Sequence, residues 1–206
     1  MSKAPRVIMR SRYALAGPVV VALACVVVWY IQLRHGGLTE LATDGVVPLG
    51  ILVALTIWWL WPVVVLDSGG LLVRNLLRTH IIPWGAYEGV ETRWALKILV
   101  KGRRPITAAA CAATGGITRR DHVVPEIPDI YFYSELPELR FGADSRAAGL
   151  LIDRRSPRWQ EDGPGPRVKT NATNSQNTEV CSSWNWAALA VLAAALAAIA
   201  FRIYSL

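Results

Sequence analysis

Residues 61–75, WPVVVLDSGGLLVRN, mark the point where a helix gives way to a sheet. Val63, Val64 and Val65 are β-branched, and Leu71, Leu72 and Val73 form a second apolar run. Asp67-Ser68-Gly69-Gly70 between the runs has the chemistry of a turn. Two short apolar runs around such a turn predict a β-hairpin. Pro62 cannot donate an amide hydrogen bond, so a helix arriving from the N-terminal side ends near Trp58, Trp59 and Trp61.

Working outward, charge is distributed very unevenly. The 206 residues carry 22 Lys and Arg against 15 Asp and Glu, 18% in all. Tyr13 to Leu33, Gly45 to Leu66 and Val180 to Phe201 carry none. Those stretches total 65 residues (21, 22 and 22), so the 37 charges fall on the other 141, or 26% of them. That fraction is ordinary for a soluble domain. The composition excludes both a simple soluble globule and a disordered chain, and leaves a membrane protein with one soluble domain of modest size.

A bilayer core of about 30 Å takes roughly 20 helical residues, because lipid cannot satisfy open backbone groups. Three transmembrane helices are predicted, over residues 13–33, 46–61 and 183–203. The first has an apolar run longer than a signal-peptide core and no small-x-small cleavage site after it, so it is read as an uncleaved anchor. Ala22-Leu23-Ala24-Cys25 lacks the large aliphatic residue expected three positions before a lipidated Cys. The second is short and calls for local bilayer thinning or protection by neighbours. In the third, Ala190, Ala194 and Ala198 repeat every four residues, a pattern that lets helix backbones approach closely, within the chain or with a partner.

Basic residues near the spans set the expected orientation. Lys3, Arg6, Arg10 and Arg12 form a basic leader over residues 1–12, and Arg74 and Arg78 follow the second span. The loop at 34–45 has Glu40 and Asp44 and, beyond Arg34 at its start, no Lys or Arg. The positive-inside rule then places the N-terminus and the domain at 62–160 in the cytoplasm, the short loop and the C-terminus outside, and the protein in the cell membrane as a multi-pass chain.

Within the domain, alternation from Val90 to Lys97 predicts a half-buried strand with Val90, Thr92, Trp94 and Leu96 on one face, so Trp84 and Trp94 are expected in the core. Lys101-Gly102-Arg103 turns the chain into a further short run, Ile106 to Ala112. Tyr131, Phe132 and Tyr133 are the expected packing residues of a Pro-punctuated section. Asp144 or Ser145 caps a helix running to about Arg155, with Ala148, Leu151 and Ile152 on one side and Arg154, Arg155 and Arg158 at its end. Residues 161–182, rich in Gly, Pro, Asn, Thr and Ser, read as a flexible tether.

The run WPVVVLDSGGLLVRNLLRTHIIPWGAYEGVETRW, followed by LKILVKGRRPITAAACAA, resembles the bacterial pleckstrin-homology-like (PH-like) domains found after a pair of membrane helices in small actinobacterial membrane proteins. The D-x-G-G-L-x-V-R-N piece at Asp67–Asn75 and the I-P-W piece at Ile82–Trp84 carry the likeness. The resemblance implies an α+β fold: a strongly bent antiparallel sheet closed by the C-terminal helix.

The sequence presents no catalytic constellation, no metal-binding cluster among Cys25, Cys111, Cys181 and the three His, and no cofactor motif. Thr114-Gly115-Gly116-Ile117 lacks the Lys of a phosphate loop. Asp67 sits where eukaryotic PH domains often grip inositide phosphates, and its carboxylate would repel them. Lys97, Lys101, Arg103 and Arg104 form an alternative basic hairpin that could touch anionic lipid. From Asp67 to Glu179 there are 16 basic and 13 acidic residues, a net of +3, with no nucleic-acid module. The expected function is non-enzymatic: a membrane protein displaying a PH-like module for contact with membrane lipids or a membrane-protein partner, self-association included, as an accessory or assembly subunit of a membrane complex. The rival expectation is a membrane-associated enzyme with a site near Tyr131 to Glu138.

Overall fold

The computed structural model describes residues 5–11, 14–112, 127–132, 136–161 and 179–204. In chain order the elements are β1 (Arg6–Arg10), α1 (Ala16–Asp44), α2 (Val46–Leu60), β2 (Val63–Asp67), β3 (Gly70–Arg74), β4 (Arg78–Pro83), β5 (Tyr87–Glu91), β6 (Ala95–Val100), β7 (Ile106–Ala112), β8 (Glu138–Gly142), α3 (Ser145–Glu161), β9 (Cys181–Trp184) and α4 (Trp186–Tyr204). They divide into a sheet unit, within Met1–Arg12 and Pro62–Ser183, and a helical unit, within Tyr13–Trp61 and Trp184–Leu206.

In the sheet unit the β2–β3 hairpin pairs in the register that its turn sets, Val64 with Val73 and Leu66 with Leu71, down to Asp67 with Gly70. Gly70 has φ of +150°, and a Cβ there would run into the Ile82 carbonyl of β4, so only glycine fits the corner. The full order is β8-β1-β2-β3-β4-β9, with a separate three-stranded sheet β5-β6-β7. The expected single antiparallel sheet is therefore two sheets, and the β1–β8 pair is parallel. Within the basic leader, Arg6–Arg10 is a strand inside the larger sheet, antiparallel to β2, with Val7 opposite Leu66. Val7 and Met9 are wholly buried, and the charges of RVIMR sit at its two ends.

The two sheets share one core, in which Val7, Met9, Val64 and Leu66 meet Leu96 and Ile98. Strand β6 shows clean alternation, Leu96, Ile98 and Val100 buried and Lys97 and Leu99 half-exposed, as expected where one face packs and the other is wet. The strand predicted over Val90–Lys97, however, is two strands. Residues 92–94 turn the chain between β5 and β6, and Trp94, expected in the core, is 71% exposed, with the Arg93 guanidinium 5.7 Å from its ring centre. Trp84 is 6% exposed, its ring edge-on to Tyr87 at 5.6 Å and its Nε1 donating to the Asp67 carbonyl at 3.1 Å.

Helix α3 starts as its cap predicts: Asp144 Oδ1 accepts from the Ala147 amide at 2.8 Å. Ala148, Leu151 and Ile152 are wholly buried, and Ser145 Oγ donates to the Thr92 carbonyl at 3.1 Å, so the helix lies against the three-stranded sheet. It runs on to Glu161. The expected tether over 161–182 is shortened at both ends, since Cys181–Trp184 forms strand β9; residues 162–178 lie outside the described part.

In the helical unit, α1 continues past the predicted span end at 33 to Asp44, bent at Gly37 where φ is +66°. The expected external loop at 34–45 is thus mostly helix, because TELATD has good helix formers and no Pro. Helix α2 packs against both α1 and α4. Cys25 Sγ donates to the Pro48 carbonyl at 3.3 Å, Trp29 Nε1 to the Gly45 carbonyl at 3.2 Å, and Arg202 Nη2 lies 2.5 Å from Asp44 Oδ1. Helix α4 begins at Trp186 rather than 183 because β9 occupies the preceding residues. Two helices, α1 and α4, are long and apolar enough to cross a membrane; α2 is a shorter apolar helix of 15 residues, about 22 Å.

Candidate functional site

The basic hairpin singled out in the sequence does not form one cluster. Lys97 lies on β6 near its start, 3.8 Å from Glu91 on β5. Lys101, Arg103 and Arg104 lie in the turn beyond the other end of β6, about 13 Å from Lys97 at the rise of an extended strand. Arg103 is already used, its Nη1 donating to the Val180 carbonyl at 3.0 Å just before β9.

The Asp67 carboxylate serves the fold at this corner. Its Oδ1 accepts from the Ser68 amide at 2.7 Å and from Ser68 Oγ at 3.2 Å, and Arg6 Nε lies 3.9 Å from Oδ2. Arg155, expected near the end of α3, is 1% exposed, its Nη2 donating to the Pro5 carbonyl at 2.8 Å. Burial lowers its pKa to about 10, with Asp67 acting in the opposite sense. A long cation inside the domain is tolerated because it ends on backbone oxygen and on a carboxylate field. Arg155 thereby ties α3 to the residue preceding β1. Tyr87 donates a short hydrogen bond to Asp153 on the same helix; burial, then that bond, holds the phenol well above its usual pKa.

A second basic group, not assembled by the sequence reading, gathers at the opposite end of the larger sheet. Val63 pairs with Arg74 and Arg74 with Thr79; one step past the Met9–Val64 pair, Arg10 lies beside Val63. Arg10 and Arg74 therefore share a face, two strands or about 10 Å apart. Burial and then the Arg10 charge depress the Arg74 guanidinium, and burial, Arg78 and Arg103 depress His80. Between Arg74 and Arg78 the chain turns through Asn75, Leu76 and Leu77, the Asn75 amide donating to the Arg78 carbonyl at 2.9 Å. Asn75 is locked from outside. Its Nδ2 donates to the Thr107 carbonyl at 2.8 Å and its Oδ1 accepts from the Ala109 amide at 2.9 Å, so the side chain pairs with β7 as another strand would. That pairing gives a physical reason for the Asn in the V-R-N piece. The available signal was the pair of leucines at a turn, where Gly, Asn or Asp usually stand.

On α4 the structure separates two faces. Ala188 and Ala195 are buried with Leu192 and Ile199 half-buried, and Gly50 of α2 comes so close that a Cβ there would lie 2.8 Å from Ile199 Cγ1. The predicted Ala190, Ala194 and Ala198 are exposed. At about 100° per residue, Ala190 lies two residues from the seam's Ala188, and Ala194 and Ala198 lie one residue from its Ala195 and Ile199, so all three are turned away from the packed seam.

Around the rival enzymatic section, Tyr131 rests on Phe141 with ring centres 4.6 Å apart, and its hydroxyl donates to the Arg140 carbonyl at 3.2 Å. Phe132 is buried, while Tyr133, Ser134 and Glu135 lie outside the described residues. Cys25 and Cys111 are buried thiols and Cys181 is exposed; burial, then Asp144, pushes the Cys111 thiol up to about 12.

Comparison with curated proteins and with solved structures gives no match. A family model described as "Bacterial PH domain" matches residues 61–122. The matched part starts at the helix-to-sheet boundary and includes β2 to β7, among them the Asp67 corner and the Asn75 turn. The chain thus contains a bacterial PH domain, matched over residues 61–122 and joined in this structure by a strand from the N-terminal side of the apolar helices.

Proposed function

We propose that this is a non-enzymatic, multi-pass membrane protein that displays its PH domain in the cytoplasm for contact with lipid or with a membrane-protein partner, as an accessory or assembly subunit of a membrane complex. The observation that carries the reading is the pairing of β1 with β2. Residues 6–10 precede α1 and residues 63–67 follow α2, yet they share a sheet, which supports an even number of bilayer crossings between them in the proposed topology. Two crossings, by α1 and by the shorter α2, satisfy that condition, and α4 is then a third. A 22 Å helix is short for a core of about 30 Å, which is accommodated by local thinning and by its packing against α1 and α4.

Leu23, Val27, Leu196 and Phe201 project from these helices and are more than half exposed, an arrangement that suits lipid and would be costly in water. Arg6 and Arg10 before α1, with Arg74 and Arg78 after α2, support the cytoplasmic side. The exposed stripe Ala190, Ala194 and Ala198 is a surface for a second helix, from a partner or another copy, because small residues permit close backbone approach. A reporter active only inside the cell is expected to be active when fused after Arg158 and silent when fused after Leu206. The reverse pattern would refute the cytoplasmic assignment.

A further inference from the structure

The β3–β4 turn has the wrong chemistry for a turn in water. Leu76 and Leu77 are its two central residues, and Leu77 is 49% exposed at the tip. An exposed leucine at the tip of a tight turn gains nothing from solvent, and here Asn75 at the start of the turn is tied to β7 by two hydrogen bonds. Cations bracket it. Arg74 and Arg78 flank the loop on opposite faces of the hairpin, because Arg74 pairs with Thr79 and the next position along β4 points the other way. Arg10 stands on the Arg74 side two strands away. The segment Leu71 to Pro83 contains no Asp or Glu. The same row of the sheet includes Val63, which follows Leu60, the last residue of α2, by three positions.

An apolar tip between arginines is the composition that suits the boundary between lipid headgroups and acyl chains. There leucine enters the apolar layer while guanidinium groups remain with the phosphates. Accepting the membrane reading proposed above, we propose that the Leu76–Leu77 turn is the seat of the PH domain on the bilayer. In this contact Leu77 enters the headgroup boundary, and Arg10, Arg74 and Arg78 bind the phosphates of anionic lipids. The site differs from the Asp67 corner, which lies at the other end of the same hairpin, and from Lys97 and the Lys101–Arg104 turn. Burial first, and then the Arg10 charge on Arg74 and the Arg78 charge on His80, depress those two groups, which agrees with an electropositive end that gains from nearby phosphate.

The test uses the full chain in a Cys181→Ser background, with a nitroxide placed singly at Leu77→Cys, at the exposed Glu88→Cys position on β5, and at Val20→Cys on α1. The protein is reconstituted in phosphatidylcholine vesicles with or without phosphatidylglycerol. With anionic lipid, the label at 77 should be shielded several-fold from a water-soluble nickel chelate relative to the label at 88. The shielding should fall in pure phosphatidylcholine, and also in the Arg10→Gln, Arg74→Gln, Arg78→Gln triple variant. The lipid comparison needs no arginine change, so a misfolded triple variant leaves the decision intact. A label at 77 as accessible as that at 88 in both lipids, while the label at 20 reads deep, overturns the proposal and leaves the membrane reading standing. A label at 20 that reads aqueous overturns the membrane reading and this contact with it. Shielding produced by inorganic phosphate in detergent without lipid overturns the bilayer assignment in favour of a soluble-anion site.

Discussion

A fragment of residues 61–161, which contains the whole stretch matched to the PH family, is expected not to fold, and fusing residues 5–11 to it through a flexible linker is expected to restore folding. Strand β1 is internal to the sheet, between β8 and β2. Its Val7 and Met9 are wholly buried, each contributing about 1.5–3 kcal/mol by burial. Together these are about 3–6 kcal/mol, to be set against a total stability of about 5–15 kcal/mol for a domain. Removing β1 also uncovers Val64 and Leu66, opens the backbone edge of β2, and deprives Arg155 of the Pro5 carbonyl. Circular dichroism and a cooperative melt would decide. A fragment without residues 5–11 that melts cooperatively would show that the strand is dispensable.

The second large effect separates two tryptophans that the sequence treats alike. Trp84→Ala is expected to destabilise the sheet unit by about 3–5 kcal/mol, the usual cost of deleting a buried aromatic. Trp94→Ala is expected to change stability by no more than about 0.5 kcal/mol, since that side chain is 71% exposed. Thermal melts of the full chain in one detergent, read by a probe in the sheet unit, give both values. Equal losses at the two positions would mean that the tip of the β5–β6 turn is packed against something in the folded protein.

The same pair shows where sequence reasoning held and where it failed. Trp84 was legible because it follows Pro83 in a short, locally determined corner. Trp94 was not, because alternation from Val90 to Leu96 continues in phase across a tight turn: residues 92–94 reverse the chain without breaking the apolar-polar pattern. The Asp67–Gly70 hairpin and the start of α3 at Asp144 were legible for the same local reason, each set by side chains within a few positions.

Strand β1 was illegible for the opposite reason. Val7 pairs with Leu66 across 59 residues of chain, and five residues reading RVIMR before an apolar helix look like a positive-inside flank. In the structure Val7 and Met9 fill the core, with Arg6 and Arg10 at the two ends of the strand.

On α4, periodicity revealed stripes but not which one meets α2. That choice depended on Gly50 in another helix. Counting charges along one hairpin did not reveal the Arg10–Arg74 pair, because sheet register, rather than sequence proximity, puts the two on one face two strands apart.

The central claim is that the segment before the first apolar helix completes a sheet that lies after the second. Its most direct test is a cross-link in native membranes. Ile8 and Val65 are register partners, so their Cβ atoms should lie about 4.5–5.5 Å apart, close to the reach of a disulfide. In a Cys181→Ser background, Ile8→Cys paired with Val65→Cys should cross-link on mild oxidation. Ile8→Cys paired with Leu72→Cys, one strand further on, should not. Failure of the first pair to cross-link, or cross-linking of the second pair to the same extent, would contradict the account.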